Sequence, residues 1–238
     1  MTIAYDTRMR AIARVKRDAV TFQAVYGRRQ RFARLMASPS TEVVIEGFPR
    51  SANTFSVKAF RTAQGSRTVA IAHHLHAPAQ FQLAKRYGVP AICLVRDPVD
   101  AVASLIIREP RMSIELGLHM YTSFYGRALD FADSFVVCPF REATTDFGAT
   151  IRHANERFGR DWTPFDATPA NIQAVFEWIH EANQERFGGQ STMVAAPSAD
   201  RVDRAGVLRA EMAGPRHAER VAEALGLYRR LVPASPAS

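Results

Sequence analysis

Val43-Val44-Ile45-Glu46-Gly47-Phe48-Pro49-Arg50-Ser51-Ala52-Asn53-Thr54-Phe55 runs from an apolar segment through a polar turn into a helical pattern. Residues 42–46 read as a strand, 47–53 as a tight turn, and 54–64 as a helix. A strand that feeds a helix through a short turn gathers free backbone N–H groups at the positive end of that helix, where a phosphate-like anion is held. Ser51, Asn53 and Thr54 add side-chain donors, and Arg50 sets a fixed positive charge in the middle of the turn. A nucleoside triphosphatase loop reads G-x-x-x-x-G-K-[ST]. Here there is no second glycine and no Lys-Ser/Thr pair to hold Mg²⁺, which argues against ATP or GTP hydrolysis.

Outward from this stretch, short apolar runs alternate with helical patterns. Strands are expected at 68–72, 91–95 and 134–138, and helices at 78–87, 99–109, 113–132, 145–158 and 169–187. The alternation predicts an α/β fold: a mostly parallel central sheet flanked by helices in three layers. Residues 188–200 are rich in small residues and read as a loop. A last helix over 215–231 places Ala218, Val221, Ala222, Leu225 and Tyr228 on one face. Residues 7–36 read as helix broken at Gly27. The expected division is a basic helical arm (1–40), an α/β domain (41–232) and a disordered tail (233–238).

A second element follows the third strand: Arg96-Asp97-Pro98-Val99-Asp100-Ala101-Val102-Ala103-Ser104. Arg96 ends the strand and Ser104 lies about two turns into the helix, so both can face the crevice at the carboxyl ends of the strands. They offer a forked cation and a hydroxyl to a second anion. Asp97 and Asp100 are expected to fix the turn and cap the helix.

The first turn resembles the 5′-phosphosulfate loop of the sulfotransferase family, roughly P-[KR]-S-G-[TS]-T-[WF]. Pro49, Arg50, Ser51, Thr54 and Phe55 match, and Ala52 and Asn53 replace glycine and threonine. Alanine makes a positive φ costlier than glycine would. The second element matches the family's R-[DN]-P-x-D-x-x-x-S pattern at every defined position, which in that family binds the 3′-phosphate of the donor. The resemblance is specific over 43–108 and general from there to about 228. It implies a P-loop-like fold and transfer of a sulfuryl group from 3′-phosphoadenosine 5′-phosphosulfate (PAPS) to an acceptor hydroxyl or amine. Residues 50–55, Arg96 and Ser104 would bind PAPS, joined by Arg201 from a late stretch, Pro197–Arg204, that resembles the family's closing loop; Arg204 is its alternative.

Sulfuryl transfer resembles phosphoryl transfer, in which positioning and charge stabilisation dominate. Arg50 is the candidate to stabilise charge on the bridging oxygen. His74 is the candidate base, since His73-His74-Leu75 resembles the T-H-L stretch of family members with a histidine base; His76 and Glu46 are the alternatives. No metal is expected. Although His73, His74 and His76 stand close in sequence, strand alternation turns neighbours to opposite sides, and no cysteine or acid completes a set. Phe48, Phe55, Tyr121, Phe124 and Tyr125 are candidates to line the acceptor cleft or to fill the core. Carbohydrates, glycolipids and small alcohols all fit as acceptors, with the first two favoured by the basic arm.

Net charge is +8, and residues 1–40 carry +7 of it: nine Arg/Lys against Asp6 and Asp18. Such a segment suits an anionic surface, or else is a solvated helix covering the body. No run of about 18 apolar residues predicts a spanning helix. Cys93 and Cys138, both inside apolar runs, read as buried free thiols. The expected setting is cytoplasmic, with peripheral contact at the inner membrane surface through residues 1–40 and no specific nucleic acid. Two other classes compete: a P-loop kinase or other NTP-dependent phosphotransferase, and a non-enzymatic anion-binding module at a membrane or polyanion.

Overall fold

The four apolar runs form one all-parallel sheet. The computed structural model describes residues 2–187 and 199–233. Strands β1 (Val43–Gly47), β2 (Ile71–His73), β3 (Ala91–Val95) and β4 (Phe135–Pro139) lie in the order β2-β1-β3-β4. The helices are α1 (Thr2–Arg17), α2 (Ala19–Tyr26), α3 (Gln30–Ala33), α4 (Asn53–Ala63), α5 (Ala79–Tyr87), α6 (Pro98–Arg108), α7 (Ile114–Ala128), α8 (Phe140–Thr145), α9 (Phe147–Phe158), α10 (Pro169–Phe187), α11 (Ala199–Met212) and α12 (Ala218–Leu231).

Every residue of β1 and β3 is buried, as expected of a parallel sheet covered on both faces. Side chains alternate across it. Val43, Ile45, Ile92, Leu94 and Val136 pack with α4, α9 and the Val175/Ile179 stripe of α10. Val44, Ala91, Cys93, Val95 and Phe135 pack with α5, α6, α7 and α12. β1 and β3 are neighbours, yet α4 leaves β1 toward one face and α6 leaves β3 toward the other. The turns after these strands therefore part, and a crevice opens at the carboxyl edge, where open α/β sheets bind ligands. Gly47 is needed at that edge: a Cβ there would lie 2.5 Å from the Leu94 carbonyl oxygen. Both cysteines are buried free thiols.

The basic N-terminal segment packs onto the second face. Asp18 accepts from the Val20 and Thr21 N–H groups and caps α2, so the chain breaks there as well as near Gly27. Phe22, Met36 and Ala37 are buried in the core formed by α5 and α7. Gln80 of α5 accepts from Ala37 N and donates to Leu35 O, each at 2.8 Å.

Several elements differ from the sequence expectation. β2 starts at Ile71, which pairs with Val43; before it the Ala70 carbonyl accepts from Glu42 N and Val43 N, and Ala70 N donates to the Glu42 side chain rather than to a strand carbonyl. The expected 145–158 helix is α9, which starts where the Asp146 side chain caps it by accepting from Ala149 N, and a separate short helix, α8, precedes it. Helix α11 takes in residues 199 and 200 of the expected loop and Ala199–Arg204 of the stretch that resembles a closing loop, and its Arg209 donates to Asp100 of α6 at 2.8 Å. Asp100 is thus an anchor for α11, and Asp97 alone supplies the side-chain cap of α6. Residues 188–198 of the expected loop and 234–238 of the expected tail lie outside the described residues.

Candidate active site

Among the described residues, four that are not glycine have positive φ: Arg50 (72°), Ala52 (67°), His74 (59°) and His76 (47°). All four line one cavity of about 1350 Å³ at the carboxyl edge of the sheet. A left-handed backbone disfavours any side chain by roughly 1–3 kcal/mol, so surrounding contacts must hold it, and such residues gather at functional sites.

The turn after β1 is braced locally. Asn53 Nδ2 donates to Phe48 O at 3.1 Å, and Ser51 N donates to the same oxygen at 3.2 Å. Ala52, left-handed, precedes α4 and gives it no side-chain cap, so the first N–H groups of α4 have no side-chain acceptor there. Arg50, Ala52, Asn53, Thr54 and Phe55 line the cavity. Ser51 does not reach it: its hydroxyl is fully buried, 3.4 Å from the Tyr125 hydroxyl, which itself donates to Leu94 O. The expected Ser51 side-chain donor is therefore part of the core, as are the Tyr121 and Tyr125 rings.

The two sequence elements meet. Arg50 Nε donates to Ser104 Oγ at 2.9 Å, and Arg96 Nη1 donates to Arg50 O at 3.0 Å. The Arg96 guanidinium lies 4.1 Å from the centre of the Phe140 ring, and its Nε is buried with no hydrogen-bond partner. A buried unpaired donor on a cation is costly unless an acceptor joins it. Burial lowers the proton affinity of Arg96, which still carries its charge at neutral pH. The side chain of Arg201 lies outside the described residues. Arg204, on α11, is exposed and outside the cavity wall.

The turn after β2 is held from a distance. Glu46, fully buried in β1, accepts from Leu75 N at 2.9 Å, His76 N at 3.1 Å and Gly47 N at 3.1 Å. Burial raises its carboxyl to about 7, against the lowering effect of those N–H groups. Glu46 is no part of the cavity wall and acts as the clamp of the turn. Because β2 ends at His73 and the next turn is left-handed, the three imidazoles gather instead of alternating. The His73 and His74 ring centres are 4.8 Å apart, and those of His74 and His76 6.1 Å. Among the described residues no set of three or more His, Cys, Asp or Glu is placed to hold a metal ion.

Hydrogen-bond direction assigns the tautomers. Arg61 Nη2 can only donate, so His73 Nε2 accepts at 3.1 Å. Burial, followed by His74 and Arg61, pushes His73 down to about 3, so it is neutral and its proton sits on Nδ1. That proton is donated to His74 Nδ1 at 2.6 Å, so the His74 proton is on Nε2, donating to Thr54 Oγ1 at 3.1 Å. His76 has the opposite arrangement. Its Nδ1 donates to Gly47 O at 2.9 Å, with Glu46 Oε1 3.5 Å away, and the Nε2 lone pair is left. Burial, with His74 and Lys16 nearby, pushes His76 down to about 3, so it too is neutral.

Sequence reading did not anticipate Arg61 or the Glu46 clamp. A single acid inside an apolar strand was the one available signal for the latter. The far walls of the cavity come from α1 (Tyr5, Met9, Ile12) and α10 (Phe176, Ile179), with Phe124 of α7 between. No protein-family model matches the chain, and no curated protein matches it.

Proposed function

We propose that the chain is a sulfotransferase of P-loop-like fold that moves a sulfuryl group from PAPS to an acceptor hydroxyl or amine. The observation that carries this reading is the junction of Arg50, Ser104 and Arg96 at the carboxyl edge between β1 and β3. PAPS bears a phosphosulfate on one side of its ribose and a phosphate on the other. The N–H groups at the start of α4, with Thr54 and Arg50, suit the first; Arg96 and Ser104 suit the second.

In this reaction the acceptor oxygen forms a bond to sulfur as the bond from sulfur to the phosphate oxygen breaks. Arg50 balances the charge that gathers on the departing oxygen. As its bond to sulfur forms, the acceptor oxygen becomes strongly acidic, and a neutral imidazole takes its proton. The tautomer network favours His76 Nε2 for this step over His74, whose Nε2 proton is engaged by Thr54. In that position Thr54 Oγ1 has its own O–H free to donate to a donor oxygen. Ala52 and Asn53 stand where a kinase loop would need its second glycine and its lysine, which disfavours the phosphotransferase reading.

The test is transfer of label from PAPS to a panel of carbohydrate, glycolipid and small-alcohol acceptors, alongside calorimetry with 3′-phosphoadenosine 5′-phosphate. The expected result is labelled product, with binding of the desulfated donor weakened by Arg96→Ala. Failure of PAPS and of its desulfated product to bind at high micromolar concentration overturns the reading. Mg·ATP that outcompetes PAPS replaces it with phosphoryl transfer.

A further inference from the structure

Helix α2, Ala-Val-Thr-Phe-Gln-Ala-Val-Tyr, contains no charged residue. Its inner face, Ala19 and Phe22, is buried. Its outer face is mostly aliphatic and faces solvent: Val20 is 68% exposed, Val25 is 49% exposed and Ala24 is exposed, with Thr21 the one polar residue among them, its hydroxyl donating to Val15 O and Asp18 O. An uncharged helix that exposes aliphatic side chains opposite its buried face suits contact with another apolar phase. The chain on either side of it is strongly basic. Arg10, Arg14, Arg28, Arg29, Arg31 and Arg34 are all exposed, and no ion pair with a described residue engages any of them.

From this pairing we infer that the outer face of α1–α3 docks on an anionic lipid surface, with the Val20/Ala24/Val25 face of α2 seated at the headgroup boundary and the flanking arginines on acidic headgroups. The inference is independent of sulfuryl transfer. Exposed aliphatic side chains between cations fit an interface that is charged outside and apolar beneath. They do not fit a single-stranded nucleic acid, which would want aromatic platforms for its bases, since Phe22 is turned into the core and Tyr26 packs against it, nor a duplex, whose phosphate backbone offers exposed valines no apolar partner. A second copy of this chain is disfavoured too, since two faces of the same strong positive charge would repel. Among the described residues no helix is long and apolar enough to cross a membrane, so the contact is superficial.

The test is co-sedimentation of the full chain with phosphatidylcholine vesicles, with and without phosphatidylglycerol. Binding is expected only with the acidic lipid and is expected to weaken as salt rises. Combining Arg10→Ser, Arg14→Ser, Arg28→Ser and Arg29→Ser removes about fivefold per arginine, roughly several hundredfold in all. Val20→Ser with Val25→Ser lowers binding about tenfold while its salt dependence persists. All these side chains are exposed, so the thermal midpoint should hold and report an intact fold. In an otherwise native chain, the emission of Val25→Trp should move to shorter wavelength when acidic vesicles are added. Equal binding of the four-arginine variant, or unmoved Val25→Trp emission, overturns the proposal. So does a chain that ignores acidic vesicles yet binds heparin or RNA, with the valine pair making no difference.

Discussion

The turns after β1 and β2 stand side by side, each containing two left-handed residues that are not glycine, yet the first has several braces and the second leans on one. The first has several independent braces: Asn53 and Ser51 both donate to Phe48 O from within the turn, and Arg96 donates to Arg50 O from the end of β3. The second depends on one carboxylate from another strand, Glu46, reaching Leu75 N and His76 N. Several separate braces make the first turn tolerant of single changes to its frame. Remote clamping makes the second a structure that one substitution undoes. The positive charge is on the first turn and the proton-accepting imidazoles are on the second, so the two halves of the proposed chemistry differ in robustness.

The largest expected effect lies in turnover. Under the proposed reaction, Arg50→Ala and His76→Ala each lower kcat by roughly two to three orders of magnitude, measured by transfer from labelled PAPS. His74→Ala should act more weakly, because it acts on the reaction through Thr54. A His74→Ala loss that exceeds that of His76→Ala would reverse the assignment of the base.

Next comes the contrast between the braces. Glu46→Ala strands two buried N–H groups of the second turn and should lower unfolding stability by about 3 kcal/mol in urea titration. Asn53→Ala removes one hydrogen bond and should cost about 1 kcal/mol. Equal losses would mean that the turns are held alike.

A third measurement is the pH dependence of unfolding. His73 and His76 are depressed from 6.5 to about 3 in the fold, so the unfolded chain binds more protons and stability is lost as pH falls below 6.5. Glu46 is raised from 4.5 to about 7, so its contribution runs the other way, falling as pH rises from 4.5 to 7. The net slope should therefore be shallow between 6.5 and 4.5 and steepen below 4.5, where only the histidines act. His73→Gln should flatten the acid limb.

The smallest expected effect is at Ala52. Ala52→Gly relieves a left-handed alanine worth about 1–2 kcal/mol, less the greater chain entropy of glycine, and should raise stability by about 0.5 kcal/mol with transfer retained.

The sheet was legible because buried parallel strands are written as unbroken apolar runs such as Ala91–Val95, and the first turn because a strand, a polar turn and a helix start are contiguous. The second turn was not. Left-handed backbone at His74 and His76 has no glycine or asparagine to announce it, so alternation along a strand was the natural expectation, and it fails as soon as β2 ends at His73. Nor was α11 legible, with Val202, Leu208 and Met212 too sparse to mark a buried stripe. The side chain that anchors it, Arg209, finds its partner Asp100 more than a hundred residues away.

Helix α1 contributes to the cavity wall with one side while Phe22 and Met36, farther along the same segment, fill the core. Shortening the chain to begin after residue 38 would consequently strip away part of the reaction chamber and part of the protein's interior at once. Such a fragment should aggregate or melt early, and its silence in any assay would carry no message about surface charge. Point replacement of individual arginines is the way to separate the role of that segment outside the molecule from its role within.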